Sequence, residues 1–537
     1  IFKNFFSDLH LIYQDLRSLD DWNSFSSFRS SESLASINKL LSEVDFGSLN
    51  YNNKLFYSFL QFCIQEIEFF SSHWIDYISL SKWFLFFTNF FYPKSDYFLL
   101  DDQKILTQPY SELSSIFKEL VNKTNDFLSY SFPSNSFFFH EYNVLNDFLS
   151  LLSLINEKIG GAFTNKEKTD FSTIISQING NLSKLQYLLR KKSTLANFQW
   201  ASDGKNNLNS FLKLNNISLS SDNFKDTMEN VVNRLNQKIL QVTFNVSENA
   251  SYESLLSEIT QRSYFSFSNQ KSIIESELDH ISNWLREKGL LKENILIPIT
   301  IKNIIYFKPE YHKSPILVPI VSQQTIKGIK IFLPDSSDLS DKRPRLFTNE
   351  YFLRSWVIQN ILPGTIFLRK QFEENHESFL ISFRSDPSLK RWNIFTRIYL
   401  LQNDYYSDEK YRFFELWTLM KEFALLNACL DQFKGKNTSN IINGLSNLLH
   451  IDPVHLTRSF YEFYLKFFPN AISLYESLLL LDVQTILVSK NLPYQRFFDT
   501  LIRYYNFPFF ILKEALAKLF SVDFSDTIAS DRIRVLI

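Results

Sequence analysis

Residues able to do chemistry are scarce and scattered in this 537-residue chain. It has 8 His and 2 Cys. Cys63 and Cys429 lie far apart and share no CxxC spacing, so neither a disulfide framework nor a thiolate metal site is indicated, and two buried free thiols are expected. His376-Glu377 lacks a second His close by. His450 and His455 are five positions apart with Asp452-Pro453 between them, a spacing that puts them on different faces or in a helix start rather than at one metal. The chain carries no GxSxG elbow, P-loop or dinucleotide fingerprint, and 10 Gly leave little material for phosphate-cradling loops.

A second set of residues is informative through its order. The stretch Gln359-Asn360-Ile361-Leu362-Pro363-Gly364-Thr365 has the form of an HExxPGH motif in which only Pro-Gly survives. Lys390-Arg391-Trp392 follows where an EGW element would stand, and only the Trp is kept. Asp404-Tyr405-Tyr406-Ser407-Asp408-Glu409 resembles a GYY-(S/D)-(D/P)-E run, and Arg503-Tyr504-Tyr505-Asn506-Phe507-Pro508 matches RYxxxPGQ up to its Pro, after which Phe509 and Phe510 replace Gly and Gln. Together these resemble the bacterial domain of unknown function 885, a set regarded as similar to zinc metallopeptidases of the gluzincin type. The resemblance is detailed over residues 293–520 and only architectural before them.

The resemblance implies two His at 359 and 365, a Glu general base at 360 and a third ligand at 390. Zinc needs imidazole, thiolate or carboxylate, and a hydrolytic site also needs a base for bound water. Gln359, Asn360 and Thr365 offer neutral oxygens, and the Lys390 ammonium would repel a dication. The expectation is a catalytically inactive relative with no catalytic residue, no metal and no cofactor, binding a peptide or a protein partner in an inherited cleft. Lys390 would pair there with a ligand carboxylate or with an acid such as Asp404. Arg503 and Tyr504 are further binding candidates, with an Arg-carboxylate pair and a packed Tyr as their structural alternative. The competing expectation is an active peptide hydrolase whose metal ligands have moved, drawn from the eight His.

Composition narrows the field. Lys+Arg 56 against Asp+Glu 57 gives a net charge of −1, and no segment is basic enough for a run of phosphates, so nucleic-acid binding is not expected. The 56 Phe are spread along the chain and reflect codon bias more simply than function. The apolar run Trp83–Tyr92 is too short to span a bilayer and reads as a core helix, and no transmembrane segment is expected. The sequence starts at Ile1; a leader removed upstream would make the protein exported or lipid-anchored, and otherwise it would be cytoplasmic.

The elements that position these residues read as mainly α, two-lobed, with a small Pro-rich β insertion. Residues 1–290 form an N-terminal helical lobe, with stripes such as Leu55, Phe56, Phe59, Leu60, Cys63 and Ile67, or Ile274, Leu278, Ile281, Trp284 and Leu285. Thr164–Lys166 and Ser202–Asn207 read as loops. Residues 291–345 form the insertion, with strands at 295–307, 316–321 and 328–333 and Pro298, Pro309, Pro315, Pro319 and Pro334 favouring edges and turns. Residues 346–537 form a C-terminal helical lobe carrying the degenerate motifs. Asp408 and Asp452-Pro453 read as helix starts there, and Pro363-Gly364 as a kink.

Overall fold

The computed structural model describes residues 39, 41–73, scattered positions between 114 and 125, 164–193, 204–247, 250–261, 266–291, 297–304, 315–322, 325–334, 349–375, 385–465 and 467–524. The run Trp83–Tyr92 and the pair His376-Glu377 lie outside these residues.

The fold is mainly α with one small sheet. Before the sheet come α1 (Tyr51–His73), α2 (Asn165–Ser193), α3 (Gly204–Leu214), α4 (Ser221–Val246), α5 (Tyr252–Gln261) and α6 (Phe267–Glu287). Both polar stretches read as loops turn out to open helices. Thr164 and Glu167 form a reciprocal cap at the start of α2, the Thr164 N–H donating to Glu167 Oε2 at 2.9 Å and the Glu167 N–H to Thr164 Oγ1 at 3.4 Å. The Gly204–Asn207 stretch is the first turn of α3, whose far side buries Leu208, Phe211 and Leu212. Small polar residues are common to loops and helix starts, and only the cap geometry separates the two.

The sheet has order β1-β3-β2, from β1 (Ile299–Ile304), β2 (Ile316–Ser322) and β3 (Thr325–Pro334), with β1 parallel and β2 antiparallel to β3. Ile329, Ile331 and Leu333 alternate along central β3 and are fully buried against the helices, as the period of a strand requires. Pro319 sits on edge strand β2, where its missing N–H costs no second ladder.

After the sheet come α7 (Glu350–Asn360), α8 (Thr365–Asn375), α9 (Ser385–Gln402), α10 (Glu409–Phe433), α11 (Thr438–Leu449), α12 (Pro453–Leu465), α13 (Phe467–Ser489), α14 (Tyr494–Arg503) and α15 (Phe509–Phe520). The Asp408 side chain accepts from the Lys410 N–H at 2.8 Å and Asp452 from the Val454 N–H at 2.7 Å, as the two helix starts demand. Helix α10 packs along α4, and α9 along α13.

The segments on either side of the sheet meet in one continuous buried cluster running from Leu41 to Phe524. Phe59 of α1 stacks on Phe507, between α14 and α15, at 4.4 Å and 12°. Among the described residues α13 is the one helix long and apolar enough to cross a membrane, and 78% of that stretch is buried within the protein.

Candidate functional site

The Pro-Gly element breaks the helix outright instead of kinking it. Helix α7 ends at Asn360, α8 begins at Thr365, and a buried corner of four residues lies between them, with a cis Leu362–Pro363 peptide. Gly364 is required by proximity: a Cβ there would lie 2.2 Å from the Gln359 carbonyl oxygen and 2.5 Å from that of Ile358. Trp392 closes the corner from α9, its indole N–H donating to the Pro363 carbonyl at 2.6 Å while its ring meets Phe498 edge-on. The apolar crevice between Pro363, Phe367, Trp392, Tyr399 and Phe498 has a volume of about 10 Å³, no more than a single water.

The altered motif positions lie next to this corner. Thr365 Oγ1 donates to the Gln359 carbonyl at 3.4 Å and accepts from Asn393 Nδ2 at 3.4 Å. Asn393 is one helical turn from Lys390, so both project from the same side of α9, and Arg397 follows one turn on. That side of α9 faces the side of α10 bearing Glu415, Thr418 and Glu422. Lys390 Nζ meets Glu422 Oε2 at 2.7 Å, and Arg397 Nε meets Glu415 Oε2 at 2.7 Å. Gln359, Thr365, Asn393, Lys390, Thr418 and Glu422 are all half-buried, and they define a polar seam between two ion pairs.

Lys390 is not directed at Asp404, the partner suggested by sequence. Asp404 occupies the left-handed turn between α9 and α10 (φ 53°), while the ammonium is held by Glu422, by Asn470 Oδ1 at 3.0 Å and over the Phe463 ring at 4.7 Å. Burial works to raise the Glu422 carboxyl, but the Lys390 charge and hydrogen bond, with Lys421 and Arg397, hold it below the usual carboxylate range. The charge that would repel zinc is therefore neutralised within the protein.

Arg503 and Tyr504 stand elsewhere. The Arg503 guanidinium lies over the Tyr504 ring at 5.5 Å, and the buried Tyr504 packs against Phe507 at 5.3 Å. Neither has a described contact with Gln359, Thr365 or Lys390. Asn360 donates to the Trp356 carbonyl at 2.9 Å and Gln359 Nε2 to Ser355 Oγ at 2.8 Å, both within α7.

Sequence reading passed over Arg391. It is 2% exposed and pairs with Glu476 of α13 at 2.7 Å, itself 2% exposed. It also donates to the carbonyls of Phe507 (2.9 Å) and Tyr505, while the other Glu476 oxygen accepts the Phe509 N–H at 2.8 Å. The middle residue of Lys390-Arg391-Trp392 thus ties that element to the Arg503–Pro508 element. The available signal was Glu476 itself, one of two acids in the mostly apolar α13, which burial obliges either to find a cation or to hold its proton.

The Asp404–Glu409 element caps a further polar knot. The Tyr405 and Tyr411 hydroxyls donate to Glu277 Oε1 of α6 at 2.6 and 3.2 Å, with Arg354 3.9 Å from the other oxygen. Burial raises the Glu277 carboxyl despite Tyr405, Arg354 and His280.

Among the described residues no group of three or more His, Cys, Asp or Glu is arranged to hold a metal ion. His450 caps α11 in a left-handed conformation and packs on Tyr252 at 4.7 Å, and both cysteines are buried free thiols.

The chain matches no family model and no curated protein. Its fold is similar to that of a solved protein from Shewanella oneidensis described as a lipoprotein of unknown function, with a TM-score of 0.64 and 10% identity over 90% of this chain and 91% of that one. It is also similar to one from Colwellia psychrerythraea described as a lipoprotein, with a TM-score of 0.56 and 12% identity over 77% of this chain and 74% of the other. Identities this low establish a shared mainly α fold and nothing about activity.

Proposed function

We propose that the protein is a catalytically inactive relative of zinc metallopeptidases that binds a peptide or protein segment along the polar seam between α9 and α10. The observation that carries this reading is the meeting of Thr365 with Gln359 and Asn393, one turn from Lys390, at the positions where the resembled motif holds its metal. Every side chain there is neutral or internally paired. The motif residues that survive are those the corner needs sterically: Pro363 and Gly364 form it and Trp392 locks it. Retention of the packing residues beside replacement of the chemical ones favours an inherited scaffold with a changed purpose.

The fold shared with two proteins described as lipoproteins supports an exported, lipid-anchored location. Metal analysis and proteolysis test the inactive reading. Protein purified without added metal should hold far less than one zinc per chain and should not cleave a mixed peptide library. The triple variant Gln359→His, Thr365→His, Lys390→Glu restores the ligand types of the resembled motif and should gain about one zinc per chain. Stoichiometric zinc or chelator-sensitive cleavage in the unaltered protein overturns the proposal.

A further inference from the structure

The knot around Glu277 holds one arginine between two carboxyl groups. Arg354 Nη2 is paired with Glu350 Oε1, one turn before it on α7, while Nη1 lies 3.9 Å from Glu277 Oε2 on α6, beyond hydrogen-bond reach. The Glu277 side chain is 1% exposed, and both tyrosine hydroxyls donate to its other oxygen. A carboxyl so placed keeps its proton unless a charge partner comes closer, because burial penalises the ionised form. Burial does raise it, against the Tyr405 hydrogen bond, the Arg354 and His280 charges and the Tyr411 hydrogen bond. The other ionisable groups nearby are turned to partners of their own. On α6 itself His280 stacks on Tyr405 at 4.8 Å, and on α7 Tyr351 faces Asp408 of the turn. On α10 Glu415 is held by Arg397, with Tyr406 of the turn close to both. The buried face of β3, which also packs on α6, carries Ile329, Ile331 and Leu333 and no ionisable group.

We propose that Arg354 is the moving part of a pH-operated link between α6 and α7, held on Glu350 while Glu277 is protonated and closing on Glu277 when that carboxyl ionises. The link is independent of what the seam binds. Arg354 stays charged throughout, and a neutral carboxyl offers its Nη1 little, so the guanidinium keeps its pair within α7. Ionised Glu277 adds a full charge at a 1% exposed side chain, where attraction is stronger than at Glu350, 38% exposed. A movement of about 1 Å then brings Nη1 into contact and adds a bond between two helices to one within a helix. Helix α7 runs on to Gln359 and Asn360, so the link governs how firmly the helix bearing these positions is held to α6. The folded state holds the Glu277 proton more tightly than the unfolded chain does. Its stabilisation is therefore complete below the ordinary carboxylate range and is lost as pH rises through the raised value, and the closing of Arg354 limits that loss.

Crystal structures of the unaltered protein at pH 5 and pH 9 test this. The separation of Arg354 Nη1 from Glu277 Oε2 should stay near 3.9 Å at pH 5 and fall to about 2.8 Å at pH 9. In Glu277→Gln, whose amide oxygen can still accept from both tyrosines, the position of Arg354 should not change with pH. Urea unfolding gives a second readout. Arg354→Gln should lower the midpoint more at pH 9 than at pH 5, and that difference should vanish in the Glu277→Gln background. Should Arg354→Gln lose its fold by circular dichroism, Glu350→Gln decides instead: a guanidinium freed of its competitor should reduce the fall in midpoint between pH 5 and pH 9. A hydrogen bond to Glu277 already present at pH 5, a separation above about 3.5 Å at pH 9, or an equal cost of Arg354→Gln at both pH values overturns the link. So does an unchanged fall in midpoint in Glu350→Gln.

Discussion

The indole nitrogen of Trp392 and the carbonyl oxygen of Pro363 are 2.6 Å apart, joining α9 to a helix break 29 positions earlier. Both residues are buried, so Trp392→Phe leaves a carbonyl without its donor as well as a smaller ring. A loss of about 2 kcal/mol in urea unfolding is expected, and a loss under 0.5 kcal/mol would show that the bond contributes little.

Two glycines should respond in opposite directions. Gly364→Ala places a methyl group against the backbone oxygens of α7, and a loss of about 3 kcal/mol or more is expected. Gly444→Ala, inside α11 with nothing within 4 Å of the added carbon, should stabilise by up to about 1 kcal/mol. Equal effects at the two sites would contradict the crowding described at the corner.

The buried pair of Arg391 and Glu476 should be costly to halve. Arg391→Met or Glu476→Gln is expected to cost about 3–5 kcal/mol, because each leaves an uncompensated charge inside. The double variant should cost less than the sum of the two, and a double-mutant cycle in denaturant measures the difference. Strict additivity would mean that the pair is not coupled.

Asp482 gives a pH dependence. Burial pushes its carboxyl up to about 7. The folded state therefore holds the proton more tightly than the unfolded chain does. The stabilisation is complete below about pH 4 and is lost as pH rises through about 7. After allowance for partial exposure the change is roughly 2 kcal/mol. Glu277 shifts in the same direction, so the contrast to measure is Asp482→Asn against the unaltered protein at pH 5 and pH 8. The variant should gain relative stability at pH 8, and an unchanged difference would refute the assignment.

The helices were legible where a cap or an apolar period spoke for them, as at Asp408 and Asp452. The strands of the insertion were legible from β-branched runs between prolines. The starts of α2 and α3 were not, because Thr164–Lys166 and Gly204–Asn207 use residues that loops use equally well. At the site, spacing brought Gln359, Thr365 and Trp392 to one corner but could not supply partners across the fold. Lys390 meets Glu422, 32 positions on, and Arg391 meets Glu476, 85 positions on. Such pairings depend on which helix faces are adjacent, and a linear pattern does not encode that.

The stack of Phe59 on Phe507 bears on how the chain is made. About 450 residues must leave the ribosome after Phe59 before its partner exists, roughly 20–90 s of synthesis. Throughout that interval the stripe of Leu55, Phe59, Leu60 and Cys63 has no native cover from the C-terminal turn. Nascent chains stalled before residue 507 should therefore recruit holdase chaperones and be cut readily by proteases, and release of a chain extended past α15 should abolish both.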